Sequence, residues 1–89
     1  TGEFVAGDMH VQTTRVFDNL RHVLRAAGAS MADVVKVNVY LTSMADFPAL
    51  NEVYATVFEE PYPARTTVAV AELPLGARVE IEVVARPQR

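Results

Sequence analysis

Two β-rich runs, about 65–71 and 78–85, flank the turn Leu73-Pro74-Leu75-Gly76-Ala77. In the second run Val79, Ile81 and Val83 alternate with Glu80, Glu82 and Val84. A period of two sends one face of a strand into a core and leaves the other polar. Each run also carries an ionisable group that a plain strand does not need: Arg65 opens the first and Glu80 sits inside the second. On neighbouring strands, a guanidinium and a carboxylate can pair with each other. They can instead hold a carboxylate substrate and activate water beside it. A simple ion pair adds little when exposed and costs desolvation when buried. Glu82 shares the face of Glu80. Two close carboxylates raise the pKa of one of them in a dry site, while a nearby arginine opposes the shift. A raised carboxylate is one way to make a general base near neutral pH. Spacing leaves both readings open.

The rest of the chain reads as helix, strand, helix ahead of these two strands. Residues 1–8 form a loop with Gly2 and Gly7, and Asp8 can cap the helix that follows. Between about 9 and 27, Val16, Leu20, Val23, Leu24 and Ala27 recur mostly at steps of three and four, the helical period. Gly28 is placed to end that helix in a left-handed conformation. In residues 33–41, Val35, Val37, Val39 and Leu41 alternate with Lys36, Asn38 and Tyr40, which predicts a strand buried on its valine side. Ser43 or Asp46 can cap a second helix, and Pro48 falls in its first turn, where proline is tolerated. Its apolar stripe is Phe47, Leu50, Tyr54 and Val57, widened by Val53 and Phe58. The segment Glu59-Glu60-Pro61-Tyr62-Pro63 ends it. The order predicts an α+β domain, with two helices on one face of a mixed sheet.

At 89 residues the chain makes one small domain. A chain of this length buries a modest share of its surface, yet 51% of its residues are hydrophobic. An oligomer interface is the natural place for that surplus. A net charge of −3 with scattered Lys and Arg argues against a nucleic-acid surface. With no cysteine there is no disulfide framework, thiolate nucleophile or thiolate metal site. No apolar run approaches the roughly 18 residues of a membrane span, and no signal-peptide pattern opens the chain. The expectation is a soluble cytoplasmic protein.

Other chemistry is thinly supported. His10 and His22 do not form a zinc-ligand pattern, and His22 follows Asp18 by four residues, the spacing of a helix-surface pair. Ser30 and Ser43 lack a nucleophile context and read as turn and cap residues. Four scattered glycines cannot cradle a phosphate. Asn38 and Tyr40 read as a solvated or interface face. Asn51, beside Leu50 at the edge of an apolar stripe, is a poor helix former, so its position there calls for a polar partner.

Pro63-Ala64-Arg65, Leu73-Pro74 and Val79-Glu80-Ile81-Glu82 closely resemble the C-terminal signature of the Rid family, also called YjgF, the reactive intermediate deaminases. The likeness continues through Asp18-Asn19-Leu20, Ala26-Ala27-Gly28-Ala29-Ser30, Asp33-Val34-Val35-Lys36-Val37, Asp46-Phe47 and Asn51-Glu52-Val53-Tyr54. The resemblance implies a chorismate-mutase-like α+β fold that assembles as a homotrimer, with the sheets forming a central barrel and clefts at subunit interfaces. It implies hydrolysis of 2-imino acids, and of the enamines that tautomerise to them, to 2-keto acids and ammonia. These intermediates leave pyridoxal-phosphate enzymes. No cofactor or metal is implied. Carried over by position, Arg65 would hold the substrate carboxylate, which suits a planar guanidinium that binds both oxygens at once. Glu80 would position or activate water, and Asn51 would line the cleft. Thr67, also placed at the substrate, stands where many members have cysteine. Residues 1–89 correspond to a single Rid domain without the family's N-terminal β-hairpin, which members carry ahead of the position matching Thr1. Two alternatives share the fold: a non-catalytic module that binds small carboxylates, and a ribonuclease or translation inhibitor. The acidic balance counts against the last, because phosphate contacts need Lys and Arg.

Overall fold

The helical period between residues 9 and 27 becomes α1, Met9–Ala26. It stops where glycine was expected to stop it. Gly28 takes φ +81°; its N–H donates to the Arg25 carbonyl at 3.0 Å, and the Ala29 N–H donates to Leu24 at 2.8 Å. That pair of bonds satisfies carbonyls the helix end would otherwise leave bare. The structure, a computed structural model, describes residues 9–60 and 62–87; the expected loop at 1–8 and the Asp8 cap lie outside them. Among the described residues no helix is long and apolar enough to cross a membrane.

After α1 come β1 (Val34–Leu41), α2 (Phe47–Val57), β2 (Ala64–Ala69) and β3 (Val79–Ala85). Short 3-10 turns precede β1 and α2 and shape the β2–β3 connection. The Ser43 hydroxyl accepts the Ala45 N–H at 3.2 Å and so caps the turn before α2. Asp46 stands at the N-terminus of α2 without capping it by side chain. Its carboxylate instead accepts from Arg78 Nη2 at 2.8 Å, tying the start of α2 to the approach to β3. Pro48 sits in the first turn.

The sheet order is β2-β1-β3. β1 pairs with β2 in parallel and with β3 in antiparallel fashion, so the sheet is mixed as expected. The parallel pair needs a crossover, and α2 supplies it. Both helices pack on one face. There Phe17, Val37, Val39, Leu41 and Leu50 are fully buried. Phe17 meets Tyr54 and Phe58 edge-on, with ring centroids 6.3 and 5.7 Å apart. Such contacts add about 0.5–1.5 kcal/mol each beyond the area they bury.

Two local expectations need correcting. Val35 does not join the core face. It is the extra residue of a β-bulge between Val34 and Lys36, and 47% of its surface is exposed. The bulge breaks the alternation once, so Val34 points inward beside Val37 rather than outward. Asp18 pairs with Arg21 Nη1 at 2.9 Å rather than with His22. The guanidinium is charged at neutral pH and reaches one turn back, so it takes the carboxylate first.

The bulge yields a paired expectation. Val35→Thr should change stability by less than about 0.5 kcal/mol, as exposed substitutions do. Val37→Thr places a hydroxyl in the core and should cost about 1–3 kcal/mol. Chemical denaturation of both variants checks this. Equal losses would mean that the alternation runs unbroken through Val35.

Candidate active site

In the parallel ladder Arg65 lies opposite Val37 and Thr67 opposite Val39. Both valines are buried under the helices, so Arg65 and Thr67 emerge on the helix side. The Arg65 guanidinium carbon lies 4.5 Å from the Tyr54 ring centroid and 5.2 Å from that of Phe47. Its Nη1 donates to Asn51 Oδ1 at 2.7 Å. Asn51 therefore has the polar partner that its place on the helix calls for. Phe47, Asn51 and Tyr54 follow one another at steps of four and three, so a single stripe of α2 contacts the arginine. Among the described residues no carboxylate pairs with Arg65.

Arg65 lines an open cavity of about 480 Å³ with Asn51, Tyr54, Ala55, Tyr62 and Pro63. Its walls are aromatic and amide, and its one formal charge is positive. A second cavity, about 390 Å³, lies between the C-terminal end of α2 and the start of β1; its charged lining residues are Glu59 and Glu60. The first suits a small anion and the second does not.

Glu80 stands elsewhere. β1 lies between β2 and β3, so Arg65 and Glu80 are not on neighbouring strands. In the antiparallel ladder Glu80 pairs with Tyr40 and Glu82 with Asn38. These four residues occupy the face away from the helices. The two ionisable residues thus emerge on opposite faces, and the cross-strand ion pair is ruled out for a single chain. On the open face Tyr40 Oη donates to Glu82 Oε1 at 2.9 Å. That bond holds the phenol proton and raises the Tyr40 pKa, with burial and the charges of Glu82 and Glu80 adding to the shift.

Thr67 shares the side of Arg65, but its hydroxyl is buried and, among the described residues, has no hydrogen-bond partner. The Tyr54 hydroxyl is in the same state. Burial raises the Tyr54 pKa, and the nearby Arg65 charge offsets part of the rise, so the phenol is neutral at physiological pH. Of the residues expected at a site, Arg65 and Asn51 come together. Thr67 is adjacent and enclosed, and Glu80 is separate. The spacing of Phe47, Tyr54 and Tyr62 predicts only an apolar stripe and a helix boundary, yet these residues line or brace the site. The available signal was Asn51 itself, set one residue after Leu50 with aromatics four before and three after it. His10 Nε2 lies 2.6 Å from Glu52 Oε1 and joins α1 to α2. Among the described residues no three His, Cys, Asp or Glu side chains converge as metal ligands would.

Known proteins share both sequence and architecture with this chain. A family profile described as Endoribonuclease L-PSP matches residues 1–87. A 2-iminobutanoate/2-iminopropanoate deaminase of Dermatophagoides farinae is 50% identical over 82 residues, covering 92% of this chain and 64% of that protein. The crystal structure of a putative endoribonuclease from Thermotoga maritima superimposes with TM-score 0.92 at 47% identity, covering 100% of this chain and 70% of that one. The structure of E. coli TdcF with bound serine gives TM-score 0.89 at 38% identity, over 99% of this chain and 71% of that one. The chain thus spans about two-thirds of the length of these relatives. A profile match over nearly the whole chain and close superposition at this identity make it a member of the Rid (YjgF) family, the group whose profile is described as Endoribonuclease L-PSP.

Proposed function

We propose that this chain is the core of an imine deaminase that converts 2-imino acids to 2-keto acids and ammonia. The observation that carries this is Arg65: a guanidinium braced by two rings and one amide, with no carboxylate partner among the described residues, at the wall of an open cavity. Its remaining N–H groups can take both oxygens of a substrate carboxylate. The name of the Dermatophagoides relative and the serine bound to the E. coli structure support a small amino-acid-derived ligand.

The reaction consumes one water. Water adds to the carbon of the C=N bond, and Glu80 orients it or takes its proton. The nitrogen is protonated, the tetrahedral carbinolamine collapses to the ketone, and ammonia leaves. Free imines hydrolyse unaided, so orientation and proton handling supply the modest acceleration needed.

The opposite faces of Arg65 and Glu80 bear on how such a site is built. If both act on one substrate, they come from different copies of the chain. A homotrimer with clefts between subunits satisfies this, and closure also covers the edges of β2 and β3 left unpaired among the described residues.

Arg65→Lys keeps the charge but loses the planar fork. Pyruvate binding should weaken by about 1.5–3 kcal/mol, the contribution of one hydrogen bond to a charged group, as read by calorimetry; wild-type affinity would remove Arg65 as the anchor. Glu80→Gln should keep pyruvate binding and slow hydrolysis of 2-iminopropionate roughly 10²–10⁴-fold, and unchanged turnover would remove Glu80 from the chemistry. Light scattering should report a trimer. Co-refolding equal amounts of the two variants should then regain activity, because roughly one site in four draws both intact residues from different chains in a random closed ring. Wild-type trimers with no regain in the mixture would place both residues in one subunit.

A further inference from the structure

We infer that Phe47 and Tyr54 are positioning residues that set the orientation in which Arg65 offers its donor edge to a carboxylate. This rests on the reading of Arg65 as the anchor. Arg65 lies on an edge strand and is exposed, a setting in which a long side chain ordinarily samples many rotamers. Here it has two aromatic contacts from one helix stripe, at 5.2 and 4.5 Å, both within the roughly 6 Å reach of a cation–π interaction. The Asn51 amide oxygen takes Nη1. The guanidinium carbon lies over both rings, and Asn51 takes one N–H at the edge of the group. What is left is the rest of the edge, which matches the two side-by-side oxygens of a carboxylate.

The brace is itself held. Tyr54 is 7% exposed and wedged between Phe17 and Phe58, with centroids at 6.3 and 4.7 Å. The orientation of an exposed arginine is therefore inherited from the core. Among the described residues the Tyr54 hydroxyl has no hydrogen-bond partner, and it is the ring that lies against the guanidinium.

The test compares Tyr54→Phe, Tyr54→Leu and Phe47→Leu in the intact protein. Pyruvate binding is measured by calorimetry, turnover with 2-iminopropionate generated in situ, and folding by thermal melting. Tyr54→Phe keeps a ring and should bind within about twofold of wild type. Tyr54→Leu and Phe47→Leu should each weaken pyruvate binding roughly three- to thirty-fold, raising KM while kcat holds. Partial unfolding acts differently: it lowers the active fraction, so apparent kcat falls while KM stays. Phe47, half-buried at the start of α2, gives a readout even where Tyr54→Leu does not fold. Folded leucine variants with wild-type affinity, or with kcat reduced at unchanged KM, overturn the positioning role. With Arg65→Lys alongside, the two failures separate. If that variant loses binding while the leucine variants keep it, only the brace is wrong. If it binds as wild type does, the anchor falls and the brace with it.

Discussion

The central strand has a partner on each edge, and a sheet has only one parity. Once Val37, Val39 and Leu41 are buried under the helices, every residue paired with them must point the same way. Arg65 and Thr67 are paired with two of those positions, and Ile81 and Val79 with two from the other side. Glu80 and Glu82 are paired with Tyr40 and Asn38 and have to face away. The placing of the candidate chemistry follows from the burial of three aliphatic side chains.

The second helix connects that sheet to the site. α2 carries Leu50 and Val53 into the core and presents Phe47, Asn51 and Tyr54 to the arginine. Tyr54 belongs to both groups. Two ties at its ends hold it in place: Asp46 to Arg78 at the N-terminal end, and the buried Phe58, whose N–H donates to the Tyr54 carbonyl, at the other. A shift of this helix by a fraction of its pitch would move the arginine's brace and the core together, because close-packed interiors transmit displacement rather than absorb it.

Much of this was legible in the residues. The helical period of α1, the stop at Gly28, the alternation of β1 from Val37 onward and that of β3 all rest on local patterning, and local patterning is what sequence exposes. The Rid resemblance carried the family and the candidate residues. What stayed hidden was non-local. Strand order is a property of the assembled sheet, so nothing in the spacing of Arg65 and Glu80 revealed that β1 lies between them. The bulge at Val35 was hidden for a related reason: a run of Val34-Val35 reads equally well in either register until a partner strand decides. The brace is hidden in the sequence because an aromatic at helical spacing is first of all a core residue, and Tyr54 is that as well.

The sheet's division of labour also divides the effects of substitution. Under the proposed chemistry, the residues that grip a substrate grow from the helix-covered side and the residue that handles its water grows from the other. Substitutions that retune grip through Tyr54 must be compatible with a packed interior, so they face a narrow set of acceptable shapes. Substitutions around Glu80 leave that interior untouched, because Glu80 faces away from the helices. Under that chemistry, a change in grip made through Tyr54 has to pass through the packed core, while a change at Glu80 does not disturb the helix-covered side.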